Sequence, residues 1–247
     1  MVKVVVDIWR TGLHKEEIGI KKKEEHRAKT RKFTKDMDLF GRVKIDKEDY
    51  GLIGYRKELW EVDDPINQRI DIRLFTNTID WLGTLVENFA RSIVLSLVNE
   101  QPSLSFVTTL RDTRYIYPIE RIRGRFMETD TFLLTYVDEN NQFRGYTLKV
   151  KRVAIGGDWD VYDALTGEKV AKVDGKVLDI GGRWEIKTDI DDKNLLNILS
   201  LFAASLKFYD DAKKRLEKVL KNMKKNKNWL KLAKTELSLF YNPRVRR

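Results

Sequence analysis

The chain has 247 residues, 42% of them hydrophobic and 11% aromatic, which is length enough for a substantial core and too apolar for wholesale disorder. It has no cysteine, which excludes disulfides, thiolate metal centres and cysteine nucleophiles. The formal net charge of +10 sits wholly in residues 207–247, where ten Lys and four Arg face four acids; the preceding 206 residues carry 34 basic and 34 acidic side chains. Such asymmetry points to a polyanionic partner, either nucleic acid or an anionic membrane surface. Three Gln and four Met among 35% charged residues match a profile common in thermophile proteins.

The opening MVKVVVDIW reads as a strand over residues 2–9, with a charge as early as Asp7 and no cleavage site of a signal peptide. Residues 14–35 are dominated by charge and read as a solvated loop or short helix. Both histidines, His14 and His26, lie there, and Glu24 and Glu25 beside them do not complete a metal site. Short β-like runs follow at 41–46, 52–60 and 68–75; in the last, Ile70, Ile72 and Leu74 alternate with Arg69, Asp71 and Arg73.

Asn77 or Thr78 can cap a helix expected over residues 79–98. Its apolar residues Trp81, Leu82, Leu85, Val86, Phe89, Ile93 and Leu97 recur at helical spacing, and Glu87 and Arg91 are placed as an i,i+4 pair on its polar side. Those two charges also interrupt the longest near-apolar run. No transmembrane span is therefore expected, and the protein reads as soluble and cytoplasmic, or peripheral to a membrane.

From residue 104 to 187 the pattern is repetitively β. Strands are expected at 104–110, 114–121, 131–137, 144–153, 159–163, 169–173, 176–179 and 183–187. The turns between them carry Asp138-Glu139-Asn140-Asn141, Gly156-Gly157, Ala164-Leu165-Thr166-Gly167, Asp174-Gly175 and Gly181-Gly182. Asp174-Gly175 is the strongest two-residue hairpin signal among them. A meander of such short strands must close or pack on something.

Residues 195–206, LLNILSLFAASL, supply it. Nine of these twelve are apolar, with only Asn197, Ser200 and Ser205 interrupting, so a helix here is apolar nearly all round and needs burial on every side. Asp189, Asp191 and Asp192 stand just before it, where carboxylates cap a helix and favour its positive end. The fold class expected is mainly β (α+β): an antiparallel barrel-like sheet wrapped around a C-terminal apolar helix, with an additional amphipathic helix and a basic helical tail. The chain divides on this reading into residues 1–100, strands plus a helix that complete the sheet; 101–210, the meander and central helix; and 211–247, the tail.

The run WDVYDALTGEKVAKVDGKVLDIGGRWEIKTD, followed by an all-round apolar helix, resembles the LURP-one-related proteins, which share a fold with phospholipid scramblases and the tubby C-terminal domain. The shared element is strand, D-x-x-G-type turn, strand, turn, and a strand ending in an aromatic. Here it reads Val161-Tyr162-Asp163, Gly167, Val170 and Trp184-Glu185-Ile186, with residues 132–138 and Asn140-Asn141 as an earlier copy. The resemblance covers residues 121–209 and implies a closed antiparallel barrel of about a dozen strands around a hydrophobic helix, serving as a non-enzymatic binding fold. The tubby branch binds membrane phosphoinositides. No stretch here matches that motif residue by residue, so no site residue carries over. The helix at 79–98 and the basic segment beyond residue 209 fall outside the family pattern.

That basic segment is the functional candidate. Ala212, Leu216, Val219, Leu220 and Met223 form an apolar stripe at helical spacing, and the other face holds Lys213, Lys214, Arg215, Lys218, Lys221, Lys224 and Lys225. Trp229, Leu230, Leu232, Ala233, Leu237 and Phe240 continue the apolar face to Asn242-Pro243, after which Arg244, Arg246 and Arg247 form a basic tip. Three readings compete. The cations bind nucleic-acid phosphates, ahead of an anionic membrane surface; or the apolar face of residues 212–241 packs on the barrel, another copy or a protein partner and the lysines are simply solvated. No catalytic motif is present: there is no G-x-S-x-G, P-loop, dinucleotide fingerprint or H-E-x-x-H. Asp158, Asp160 and Asp163 lack the glycine and distal glutamate of a calcium loop, so neither a metal nor a cofactor is expected, and a hydrolase using these carboxylates is the remaining enzymatic reading.

Overall fold

The computed structural model describes residues 1–9, 37–122, 130–151, 157–176 and 182–225. Twelve strands form one closed barrel in which every neighbouring pair is antiparallel and follows chain order. They are β1 Val2–Ile8, β2 Asp38–Ile45, β3 Glu48–Tyr55, β4 Asp71–Thr76, β5 Trp81–Glu87, β6 Ser105–Leu110, β7 Ile116–Ile122, β8 Thr131–Val137, β9 Phe143–Val150, β10 Trp159–Asp163, β11 Lys169–Lys176 and β12 Arg183–Thr188. Closure is made by β1, which pairs with β12 (Val4↔Ile186) on one side and β2 (Val6↔Val43) on the other. Five of the twelve strands thus come from the first hundred residues. Three helices accompany them among the described residues: α1 Lys57–Trp60, α2 Phe89–Asn99 and α3 Lys193–Lys225.

Alternation along the strands turns one face inward. Val4, Val6, Val43, Ile72, Phe132, Leu134, Val173 and Ile186 are buried and belong to one core cluster. Helix α3 fills this lumen, and every side chain from Leu195 to Ser205 is buried. Its three polar interruptions are satisfied locally. Asn197 accepts from the Tyr50 hydroxyl at 2.8 Å, Ser200 donates to the Leu196 carbonyl at 2.7 Å, and Ser205 donates to that of Phe202 at 2.7 Å. Asp192 caps the helix: Oδ1 accepts from the Leu195 N–H at 2.7 Å, and Oδ2 accepts from the Glu139 N–H at 3.0 Å, tying the helix entrance to the β8–β9 turn.

At 33 residues α3 is roughly 50 Å long, whereas strands of five to eight residues span roughly 17–27 Å. The helix therefore runs on beyond one end of the barrel without a break at residue 211. At that end Phe208 is ringed by Phe40, Tyr55 and Trp60, with centroids 5.7, 5.4 and 5.0 Å away.

Three sequence expectations are corrected. The helix expected over 79–98 is a β-hairpin strand followed by a shorter helix. Asn77 and Thr78 lie in the β4–β5 turn, Trp81–Glu87 is β5, and Asn88 caps α2 by accepting from the Arg91 N–H at 3.1 Å. Strand β5 is buried along its whole length, which erases the alternation that marks a strand with one wet face. Its inner side meets α3, while Trp81 joins Trp9, Leu39, Leu52 and Phe75 in a second cluster. The run at 52–60 divides into β3 and the single turn α1. Asp174-Gly175 is not a turn: both residues lie inside β11, opposite Glu185 and Trp184, and the Gly175 N–H donates to the Asp158 carboxylate at 3.1 Å. His14, His26 and the charged stretch around them lie outside the described residues, as do residues 229–247.

Candidate polyanion-binding face

The exit half of α3 has a buried and an exposed side. Ala212, Leu216 and Val219 are fully buried in the core cluster, with Leu220 and Met223 partly so. On the opposite side Lys214, Lys218, Lys221 and Lys225 recur at i, i+4, i+7 and i+11 and form one exposed stripe, with Lys224 exposed beside it. Lys214 lies 3.6 Å from the Asp211 carboxylate. Lys218, Lys221, Lys224 and Lys225 have no anionic partner among the described residues.

Two of the expected cations face the protein instead. Arg215 is 5% exposed and forms an ion pair with Glu87, which is 0% exposed, while its other amino group donates to the Gln68 carbonyl. It has no surface to offer a polyanion. Lys213 is half-buried: its Nζ lies 2.9 Å from Asp130 Oδ2 and 5.3 Å from the Tyr209 ring centroid. Asp130 also accepts from the Tyr209 hydroxyl at 2.6 Å and pairs with Arg121 at 2.6 Å. Burial pushes the Asp130 carboxyl up. The hydrogen bonds from Tyr209 and Lys213 and the charge of Arg121 outweigh that and hold it below the usual carboxylate range. Burial, reinforced by Asp130, drives the Tyr209 hydroxyl well above its ordinary value.

Sequence reasoning missed the partners Glu87 and Asp130, which are remote in the chain, yet a signal was present. At 100° per residue Arg215 lies about 40° from Val219 and Lys213 about 20° from Leu220, so both border the buried stripe. Arg244, Arg246 and Arg247 lie outside the described residues.

The barrel wall treats its charges differently. A groove of about 360 Å³ across β12, β1 and β2 is lined by Lys3, Asp7, Arg42, Lys44, Lys47 and Arg183. Here Lys3 pairs with Glu185 at 3.2 Å, Arg42 with Asp7 at 3.5 Å and Lys44 with Asp49 at 3.2 Å. The acidic cluster is likewise occupied. Asp158 pairs with Lys172 at 3.4 Å, Asp160 with Lys169 at 2.6 Å, and Asp163 accepts the Leu165 and Thr166 N–H groups that close its turn. No group of three or more acidic or histidine side chains among the described residues converges as a metal site. Among them, too, no helix is long and apolar enough to cross a membrane.

No family model, curated protein or solved structure matches the chain.

Proposed function

We propose that this chain is a non-catalytic binding module of the LURP-one-related, tubby and scramblase barrel type, and that the lysine stripe of α3 engages a polyanion, nucleic acid ahead of an anionic membrane. The carrying observation is the contrast in pairing. On the barrel wall Lys3, Arg42, Lys44, Lys169 and Lys172 are matched by carboxylates, and the cations without one, such as Lys149 on β9 and Lys187 on β12, lie on separate strands, whereas Lys218, Lys221, Lys224 and Lys225 stand together along one helix with no anionic partner among the described residues. Unpaired lysines spaced along a rigid helix suit a backbone of regularly spaced phosphates. An interfacial helix would need its apolar side free to enter the bilayer. In α3 that side is occupied, since Ala212, Leu216 and Val219 are buried in the protein's own core, and this favours phosphate contact over insertion. The same burial leaves the exposed side of this helix as the part available to a partner.

Filter binding of a mixed-sequence duplex and a single strand at two salt concentrations tests the reading. Affinity that falls steeply with salt supports it. No binding, or binding indifferent to salt, removes it, and flotation with phosphatidylserine vesicles examines the membrane version.

A further inference from the structure

The end of the barrel where α3 enters carries a cavity of about 410 Å³ between the β6–β7 turn, the β8–β9 turn and the first residues of α3. Small-molecule sites run from about 300 to 1,000 Å³, so this volume suits a ligand of dipeptide size. Charges of both signs line it without being matched to one another. Arg114 in the β6–β7 turn and Lys193 at the start of α3 have no anionic partner among the described residues. The Glu139 carboxylate has no cationic partner among them, and Asp112 pairs only with Arg111, at 3.8 Å. Asp138 differs, being already engaged by the Asn140 and Gln142 N–H groups and by Arg144.

Two hydroxyls belong to the same lining. Those of Thr113 and Tyr117 are closed to solvent and make no hydrogen bond, although Thr113 and the Val137 carbonyl neighbour the tyrosine oxygen without bonding geometry. Tyr117 is 2% exposed. Buried polar groups are ordinarily bonded, so a pair left over beside a cavity marks a place for a polar guest. The Tyr115 ring, whose centroid lies 6.3 Å from that of Tyr117, is exposed at the rim and adds an aromatic face.

Arg114 and Lys193 by themselves would suit a plain anion, and their surroundings decide against one. The six connections at this end are residues 46–47, 77–80, 111–115, 138–142, 164–168 and 189–192, and they hold nine acids against three bases. Their summed field repels a free anion, whereas a molecule that carries an ammonium beside its carboxylate meets no net repulsion. The unmatched carboxylates of Asp112 and Glu139 give that ammonium its place, and the Tyr115 ring attracts it further.

We propose that this cavity binds a small zwitterion of dipeptide size. Arg114 and Lys193 hold its carboxylate, Asp112 and Glu139 hold its ammonium, and the Tyr117 hydroxyl bonds its amide. This goes beyond the polyanion reading, because the cavity lies at the opposite end of the barrel from the lysine stripe.

Calorimetric titration of the full-length chain with alanylphenylalanine and glycylleucine tests this, each as the free dipeptide, its N-acetyl form and its C-terminal amide. Saturable binding of at least one free dipeptide is expected, weakened about tenfold or more by blocking either end. Arg114→Gln and Glu139→Gln should each weaken it comparably and leave the Tm of the unliganded protein unchanged, since both side chains are exposed. Tyr117→Phe should weaken binding without loss of stability, because the hydroxyl it removes is unbonded. Lys218→Gln/Lys221→Gln should leave dipeptide affinity unchanged. Four results overturn the proposal. An amide that binds as well as the free dipeptide makes the cavity a cation site, and an N-acetyl form that does so makes it an anion site. No saturation by either free dipeptide into the millimolar range removes this ligand class. Binding lost in the lysine variant, and kept in Arg114→Gln and Glu139→Gln, assigns the signal to α3.

Discussion

Arg215, on the emerging half of α3, is paired with Glu87 at the end of β5, and neither side chain has more than marginal contact with solvent. The two residues are 128 positions apart, and their pairing fixes both how far the helix has advanced through the barrel and how it is rotated. Removing one partner of a buried pair strands the other charge, at a cost of about 3–5 kcal/mol, whereas replacing both with apolar side chains of similar volume is often near neutral. Glu87→Leu and Arg215→Met are each expected to lower the urea midpoint markedly. The double variant Glu87→Leu/Arg215→Met should be more stable than the sum of the single losses allows. Additive losses in equilibrium unfolding would contradict this coupling.

The Asp130 cluster makes stability depend on acid. Asp130 has a folded pKa below its unfolded value of about 3.9, so its contribution is complete above that value and is lost as pH falls through the folded pKa. Thermal melts from pH 6 down to pH 2 should therefore show a fall in Tm that begins near pH 4. Asp130→Asn should flatten part of that fall while lowering stability at neutral pH. A variant with the wild-type acid slope would show that Asp130 is not the group responsible.

Gly83 lets the helix pass close to the wall. A Cβ placed there would lie 2.8 Å from Leu110 Cδ2, 3.1 Å from the Thr109 carbonyl and 3.2 Å from Leu201 Cδ1. Gly83→Val overfills this space, and overpacking costs about 1–3 kcal/mol. Leu201→Ala alone should also destabilise, by about 2–5 kcal/mol, but combined with Gly83→Val it should cost less than the two singles together. Chemical denaturation of the four proteins measures this directly.

Asp192 serves two elements at once, capping α3 and holding the β8–β9 turn. Asp192→Ala is expected to cost about 1–2 kcal/mol, at the upper end for a missing cap. Hydrogen exchange should show the amides of Leu195 and Glu139 losing protection together; loss at one without the other would separate the two roles.

For the lysine stripe the informative quantity is salt dependence. If nucleic acid binds there, each of Lys218→Gln, Lys221→Gln and Lys225→Gln should reduce the slope of log affinity against log salt by about 0.7–0.9 for every phosphate that is no longer neutralised. Stability should change by no more than about 0.5 kcal/mol, because these side chains are exposed and hold no ion pair among the described residues. Arg215→Gln should behave oppositely, costing stability without a distinct salt signature.

Much of the architecture was legible in the chain. Strands with one wet face announced themselves, and those over 131–137 and 159–163 coincide with the expected bounds. The all-round apolar stretch and its aspartate cap likewise defined the central helix. What misled was burial on both sides: β5 has no wet face, so its apolar residues fell into a helical spacing that the fold does not use. Glu87 and Arg91 illustrate the same limit for the site. Their i,i+4 separation suggested a local pair, yet Glu87 binds Arg215 and Arg91 binds Glu120 at 2.8 Å. Turn chemistry failed once, at Asp174-Gly175, where pairing with β12 on one side and the Asp158 carboxylate on the other made an extended path better than a reversal.

The seam of the barrel has a consequence for how the protein is made. Val2 must wait for Thr188 before the sheet can close, and the helix that fills it is made later still. At bacterial or eukaryotic elongation speeds that interval is on the order of ten to forty seconds. Throughout it, the growing meander carries an apolar inner surface and an unpaired edge, both invitations to association with neighbouring chains. Helix α3 is made after all twelve strands and is the element that the first of them need, so the barrel cannot be filled strand by strand as it is synthesised. Expression yield should therefore respond more to slower synthesis at low temperature and to holdase chaperones than to substitutions that merely raise the stability of the finished barrel.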